Sequence, residues 1–454
     1  MVFSTFLWLT LCIPQQEIDA LDDLHNSTQG NTWLNSTNWN TNTSYCNWYG
    51  VYCDLNETNI IKIDLSRNSL RGTIPPSIGS LTALTYLDLS FNQLVGTIPT
   101  EFNLLTLATT LNVETNQLHG DVPDLHSLTR LQLMQFRLNS LNGTIPNTVG
   151  QLNSLVQLGL RNNQLVGTLP GSLGDLTRLQ IIGLRYNFLT GTIPSSLGNI
   201  QTLTQICMMA NKLSGTIPSV ITTITALKFF NVNGNEMSGS LPEIGSLPSL
   251  TLFDVANNQL TGTIPSYFSQ SPLLNILNLG NNSFTGTIPP AFGNLYKLTQ
   301  FSIHLNPLSC ESCFPFNYSI TSCDASGISF HCDCEYLPCN SITPCNNCSS
   351  PAPSVAPSVA PSVAPSVAPS VEPSVEPSVE PSVEPSVEPA VEPSAEPSVE
   401  PSAEPGVSPS VAPGVEPTPG TIPPTTPPTT PPTSQAVSLV IPLLFITSFT
   451  ALIL

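Results

Sequence analysis

Cationic side chains are scarce in this chain. Lys and Arg together number 11 against 30 Asp and Glu, charged residues make up 9% of the sequence, and the formal net charge is -19. So little positive charge cannot neutralise a run of phosphates, which excludes a nucleic-acid partner. Catalytic patterns are missing too: there is no Gly-x-Ser-x-Gly, no His-Glu-x-x-His, no P-loop and no Rossmann glycine pattern. The five histidines, His25, His119, His126, His304 and His331, are scattered and suggest no constellation. The expectation is a protein that is not an enzyme and holds no cofactor. Long apolar runs are confined to the two ends. Residues 1–13, MVFSTFLWLTLCI, are too short to span a bilayer and read as a secretory signal, taken as 1–16. Residues 436–454, AVSLVIPLLFITSFTALIL, have no Lys or Arg after them, so the expectation is neither a stop-transfer anchor nor a cytoplasmic tail.

Between the ends, asparagine and leucine recur at fixed spacing. Asn68, Asn92, Asn116, Asn139, Asn163, Asn187, Asn211, Asn235, Asn258, Asn282 and Asn306 are 24 residues apart except for two steps of 23, giving eleven repeats. The consensus is Leu-x-x-Leu-x-Leu-x-x-Asn-x-Leu-x-Gly-x-Ile-Pro, clearest in LTYLDLSFNQLVGTIP at 84–99. Leu87 and Leu89 are two apart, so on a strand they enter the coil while Asp88 points outward. One strand per turn cannot bury its own apolar face, and neighbouring turns must stack to make a continuous core. The asparagine turns the chain off the strand with its amide buried, where its donors and acceptor serve backbone groups of its own and adjacent turns. This pattern is identified as a leucine-rich repeat. The fold expected is an α/β solenoid, a superhelix of about 11 repeats over 60–309 with one parallel sheet on its concave side.

The Gly-Thr-Ile-Pro closing segments at 72–75, 96–99, 143–146, 191–194, 215–218, 262–265 and 286–289 resemble the plant-type subfamily. That subfamily includes receptor-like proteins, receptor kinase ectodomains and polygalacturonase-inhibiting proteins. Residues 17–59 resemble its N-terminal cap. Ile18, Leu21 and Leu24 have helical spacing, and Asp19, Asp22 and Asp23 favour the first turns of that helix. Trp33, Trp39 and CNWYGVYC at 46–53 match the subfamily's tryptophan-rich hairpin, and the match implies a Cys46–Cys53 disulfide. A cap of this kind hides the open end of the solenoid.

Residues 310–350 hold Cys310, Cys313, Cys323, Cys332, Cys334, Cys339, Cys345 and Cys348. With His331 beside them a zinc site is conceivable, but a secreted chain this rich in cysteine favours four disulfides, and the expectation is a disulfide cap without metal. Residues 351–433 repeat Pro-Ser-Val-Ala and Pro-Ser-Val-Glu and end in a Thr/Pro run, and ten of the acidic residues lie there between Glu372 and Glu416. Proline at every fourth place blocks helix and sheet, so this is a disordered or polyproline stalk that could reach up to about 250 Å at ~3.1 Å per residue. The segment 434–454 resembles a glycosylphosphatidylinositol attachment signal, with a short C-terminal membrane helix as the alternative. Asn-x-Ser/Thr sequons at Asn26, Asn35, Asn42, Asn56, Asn142, Asn281, Asn317 and Asn347 agree with passage through the secretory route to the outer face of the plasma membrane.

The outward letters of the strands have no packing duty, so a binding site would show there. Two places before each asparagine the column runs Ser66, Ser90, Glu114, Arg137, Arg161, Arg185, Met209, Asn233, Ala256, Gly280 and His304. Equivalent residues on adjacent strands sit roughly 5 Å apart. Three stacked guanidinium groups repel one another unless they share something negative, and each can grip a carboxylate, sulfate or phosphate. Arg137, Arg161 and Arg185 are therefore the candidate ligand-binding residues, with Glu114 at one end and Gln135, Gln157, Tyr186 and Gln205 supplying neutral donors and an aromatic face. Plant peptide receptors often hold a peptide carboxylate with an Arg-x-Arg pair on one strand, and this chain has no such pair. Long arginine side chains lying flat and merely hydrated are the alternative reading. Tyr86, Phe91 and Phe229 form a second outward group, and Cys207 stands among the outward letters as a free thiol or a crosslinking one.

The function expected is a surface-anchored recognition protein that binds a peptide, protein or anionic glycan on its concave face and signals through a membrane co-receptor. One alternative is a coat or adhesion glycoprotein without one specific ligand, an architecture similar to surface antigens of parasitic protozoa. The other is an inhibitor of a cell-wall-degrading enzyme.

Overall fold

The computed structural model describes residues 13–243, 245, 247–310, 320–326, 329 and 330. Among these, thirteen strands form one sheet. Its first pair, Val51–Cys53 with Ile60–Asp64, is antiparallel, and from Ile60–Asp64 onward every neighbour is parallel. Equivalent residues pair without slippage, so that Gly159 faces Gly183 and Gly183 faces Cys207. This register follows from the repeat length. A coil of 24 residues returns each strand beside the previous one, and a one-residue slip would turn the leucines out of the core.

The leucines fill the coil as the spacing requires. In one repeat Leu158, Leu160, Leu165, Leu173, Leu176 and Leu179 are all fully buried. Toward the C-terminal end aromatic rings take over, with Phe230, Phe253, Phe268, Phe292 and Phe301 forming a chain of ring contacts 5.0 to 6.2 Å apart. Each Ile-Pro closes its turn extended, as at Pro194 (φ -64°, ψ 133°), and passes into a 3-10 turn, there Ser195–Asn199. Short second strands run between the asparagine and the proline, and five of them, from Thr190–Gly191 to Ser283–Thr285, make a second sheet. The glycine of Gly-Thr-Ile-Pro is required twice over at Gly191. Its φ is 72°, and a Cβ there would lie 2.7 Å from the Thr168 methyl of the preceding turn.

The buried asparagine is the hydrogen-bond hub of each turn. Asn187 donates through Nδ2 to the carbonyls of Leu160 (3.1 Å) and Leu184 (3.0 Å), and its Oδ1 accepts from the Leu165 amide at 3.1 Å. The same three contacts recur at Asn163, Asn211, Asn235 and Asn282. The residue before the asparagine is left-handed in repeat after repeat, as at Tyr186 (φ 57°) and Ala210 (φ 55°), which turns the amide inward.

The N-terminal cap is built as expected around tryptophan. The helix Gln15–Ser27 buries Ala20, Leu21 and Leu24, and Trp33, Trp39 and Trp48 pack ring on ring beside His25. Cys46 and Cys53 are disulfide-bonded, with Cα atoms 5.4 Å apart. The acidic first turn differs from expectation. The helix begins at Gln15, so Glu17 is the acidic residue in its first turn, and Asp19, Asp22 and Asp23 lie beyond it. Glu17 is buried and accepts a hydrogen bond from the Ile60 amide at 2.9 Å, tying the cap to the first repeat strand. Burial raises its carboxyl above the usual range, and the Ile60 hydrogen bond pulls it back.

At the other end the sheet runs one strand past 309. Ser322–Asp324 pairs in parallel with Gln300–Ser302, and buried Cys323, itself disulfide-bonded, covers the last turn. Residues 1–12 of the expected signal segment, Cys313, Cys332, Cys334, Cys339, Cys345, Cys348, His331, Asn317, Asn347, the stalk and the apolar tail lie outside the described residues, whereas Gln15 and Gln16 of that segment belong to the cap helix.

Asn187→Ala removes two donors to carbonyls and the acceptor of the Leu165 amide. It is expected to cost about 3 kcal/mol or more, since a buried unsatisfied group costs ~1–3 kcal/mol. The check is the shift of the denaturant midpoint relative to the parent protein.

Candidate functional site

Each concave strand presents three outward columns, at six, four and two places before the asparagine. In the last column the expected arginines are consecutive neighbours. The Leu138 amide donates to the Arg161 carbonyl and the Asn162 amide to the Arg185 carbonyl, so the three lie on adjacent turns in one register.

Their surroundings divide them. Arg137 Nε donates to Glu114 Oε2 at 2.5 Å, with the Glu114 side chain 6% and the Arg137 side chain 19% exposed. Glu114 is thus not the open rim of a site. It is a buried carboxylate that neutralises Arg137, because a charge taken out of water needs a partner at hydrogen-bond distance. Among the described residues Arg161 and Arg185 have no such partner, and their buried Nε atoms are without a hydrogen bond. Burial, and then the neighbouring Arg137 and Arg185, push the Arg161 guanidinium below its ordinary range, with Glu114 acting the other way.

The column four places before the asparagine gives these arginines their floor. It runs Gln135, Gly159, Gly183 and Cys207 on consecutive strands. Gln135 is 8% exposed, and its side chain lies over Gly159, where a Cβ would stand 2.5 Å from Gln135 Oε1. That Oε1 is buried and unpartnered. Gly183 is open above, since the nearest atom to an added Cβ is the Leu158 carbonyl oxygen at 3.5 Å. Cys207 closes the far side. It is free and half-buried, burial pushes its thiol up, and Arg185 and then Arg161 pull it back.

The remaining expected residues are only partly gathered here. Gln157 and Gln205 both face the concave side, but Ile181 stands between them as the register partner of each. Tyr186 occupies the left-handed turn before Asn187, 47% exposed, at the edge of the sheet. Tyr86, Phe91 and Phe229 are not brought together. Tyr86 donates to Asp88 Oδ2 at 3.1 Å, and its hydroxyl is pushed up to about 12 by burial and then by Asp88. Phe91 lies in a left-handed turn under the Arg67 guanidinium at 3.7 Å. It lines a shallow groove of about 400 Å³ with Leu34, Arg67, Gln93 and Thr115, which the sequence did not signal. Asp88, expected to point to solvent, is 8% exposed because Tyr86 and Asn112 hydrogen-bond its carboxylate.

The sequon residue Asn281 sits in a left-handed turn before the buried Asn282. Its Nδ2 donates to Asn257 Oδ1 at 2.9 Å. Farther along, Asp254 accepts from Asn233 at 3.0 and 3.1 Å, and burial raises its carboxyl. These knots satisfy themselves. The two consecutive glycines were the signal that sequence reading missed, a break in side chains in the middle of an otherwise filled column. Among the described residues no group of three or more His, Cys, Asp or Glu is placed to hold a metal, and no helix is long and apolar enough to cross a membrane.

Known proteins with similar sequence and structure agree with this architecture. Residues 14–54 match the leucine-rich-repeat N-terminal domain, and 59–81, 83–105, 154–176, 178–200, 249–271 and 273–295 match the leucine-rich repeat. The receptor protein-tyrosine kinase CEPR2 of Arabidopsis thaliana is 47% identical over 142 residues, 31% of this chain and 14% of that protein. The plant peptide hormone receptor RGFR1, solved in complex with RGF2, is 33% identical with a TM-score of 0.54, over 57% of this chain and 46% of that one. The Arabidopsis receptor kinase HAESA, solved with the peptide hormone IDA and the co-receptor SERK1, is 27% identical with a TM-score of 0.52, over 70% of this chain and 61% of that one. The chain thus spans less than two thirds of the length of each.

The position of Cys207 makes its reactivity a probe of the arginines. With the thiol raised by burial, alkylation at pH 8 is expected to be slower than for an exposed cysteine. Arg161→Ala/Arg185→Ala removes the two groups that favour the thiolate and should slow it further, as read by mass mapping of modified Cys207. Faster alkylation in the double variant would show that the arginines shield the thiol instead.

Proposed function

We propose that this chain, a plant-type leucine-rich-repeat protein of the receptor-like kind, is a non-enzymatic recognition protein of the cell surface. It binds a peptide or protein ligand on the concave sheet and passes any signal through a membrane co-receptor. The observation that carries this reading is the contrast along one column. Glu114 and Arg137 neutralise each other, whereas Arg161 and Arg185 keep buried Nε atoms without partners. Two like charges side by side cost stability in the free protein, and an anionic ligand offsets that cost. RGFR1 is a peptide hormone receptor and HAESA was solved with both a peptide and a co-receptor, which supports the same arrangement here.

Attachment is proposed to run through the segment 434–454, by a lipid anchor or a short helix, at the outer face of the plasma membrane. The stalk at 351–433 would hold the solenoid away from the surface. A phosphatidylinositol-specific phospholipase C is expected to release the protein from intact cells. Retention after treatment would assign the segment to a membrane helix.

The binding reading is tested with the full-length chain displayed on cells and exposed to extracellular extract. The parent is expected to retain a ligand that washes off as salt is raised, because exposed charge pairs are screened over about 8 Å at physiological ionic strength. Arg161→Ala/Arg185→Ala is expected to lose at least about tenfold in retention, the scale of one charge-assisted contact. Equal retention by both, with both folded, would remove the arginine column and favour a coat or adhesion role.

A further inference from the structure

Gly183 leaves a gap in the concave surface, on the strand of Arg185 and beside the strand of Arg161. On one side the Gln135 side chain fills the space over Gly159, and on the other stands Cys207. Ile181, two residues back on the same strand, faces the same side and supplies an apolar wall. Strands in a sheet are about 4.8 Å apart, so the two walls, one strand away on either side, stand about 10 Å apart, and once their own atoms are allowed for the gap has the width of about one side chain.

The charge pattern narrows the occupant further. Arg137 is already matched by Glu114, and past Arg185 the column continues Met209, Asn233, Ala256 and Gly280. The unmatched cations therefore occupy two adjacent strands and no more. A polyanionic glycan would need a longer strip, whereas one carboxylate spans two neighbouring guanidinium groups.

We propose that the depression at Gly183 is a socket for one Asp or Glu side chain of an extended peptide, with Arg161 and Arg185 holding its carboxylate and Ile181 packing on its stem. The proposal rests on the concave-face recognition reading and specifies its ligand. Gly183 is then a specificity-determining residue, because its missing side chain is the space the ligand enters. The socket is one strand across, so an extended peptide crossing the sheet would place one residue in it while the next points away.

The test fills the socket without touching the arginines. Gly183→Val is compatible with the fold: Gly183 does not have a positive φ, an added Cβ would make ordinary contact with the Leu158 carbonyl at 3.5 Å, and a β-branched residue suits a strand. Gly159→Val is the contrasting variant, since its Cβ would displace Gln135. The full-length chain and its variants, displayed on cells and checked for the parent thermal midpoint, are exposed to random hexapeptides carrying Asp or Glu at one position. Matched peptides carry Asn or Gln there, and a parallel arm uses oligogalacturonate. The parent is expected to prefer the acidic peptides by about tenfold or more. Both Gly183→Val and Arg161→Ala/Arg185→Ala should lose that preference. An acidic preference that survives in Gly183→Val overturns the socket while leaving the arginine column and the recognition reading intact. No acidic preference in the parent, or retention on oligogalacturonate that Gly183→Val does not reduce, also overturns it. The recognition reading itself stands or falls on the extract experiment, where no hexapeptide is used.

Discussion

The buried asparagine amide is the constraint on which the rest depends. Each solenoid turn leaves backbone groups that its own coil cannot satisfy, and water does not reach them. Asn187 answers with two donors and one acceptor, reaching carbonyls of its own turn and the one before and the Leu165 amide of the preceding turn. No other side chain of that size offers donors and an acceptor at one terminus. Because each amide spans two turns, the ladder fixes the offset between coils, and with it the register in which concave residues meet. The arginine column, the glycine floor and the walls around it all inherit their alignment from this ladder.

Alignment alone does not make a site, and what the concave face does with its polar groups separates one region from another. Near the N-terminal end Lys62, Asp64, Tyr86, Asp88 and Asn112 satisfy one another, and farther along Asp254 is served by Asn233. Such closed networks stiffen a sheet and leave little for a ligand. Between them, among the described residues, Arg161 and Arg185 form no ion pair with an acid. The column has a single carboxylate, Glu114, and Arg137 is the one arginine beside it. One acidic residue against three basic ones leaves a remainder of two, on the strand of Gly183 and the strand before it.

Much of the architecture was readable because a repeat states the same physical requirement many times. Leucines two apart, an asparagine at constant spacing and a closing Gly-Thr-Ile-Pro predicted the coil, the concave sheet and the buried amide, and Cys46 with Cys53 was implied by the cap. Departures arose where side chains act across turns. Asp88 alternates outward on its strand, yet Tyr86 and Asn112 cover it. Phe91 looked like a concave aromatic, but a left-handed turn carries it under Arg67 at the sheet edge. Gln157 and Gln205 were both expected to supply neutral donors beside the arginines, and one intervening strand places Ile181 between them.

The sequence by itself determined the repeat, its handing of leucine to the core and the stacking of three arginines on consecutive strands, because these depend on spacing along the chain. It also determined that positive charge is scarce, so that any cluster of it stands out. Only the tertiary structure decided which arginine is already neutralised, because a 23-residue separation between Glu114 and Arg137 becomes a contact only when two coils stack. The same holds for the floor. Gly159 and Gly183 are alike as letters, but a neighbouring glutamine fills the space above one, and no side chain lies within 4 Å of a Cβ added at the other. Which side chain enters an empty volume is settled by packing between turns, and no local property of either glycine encodes it.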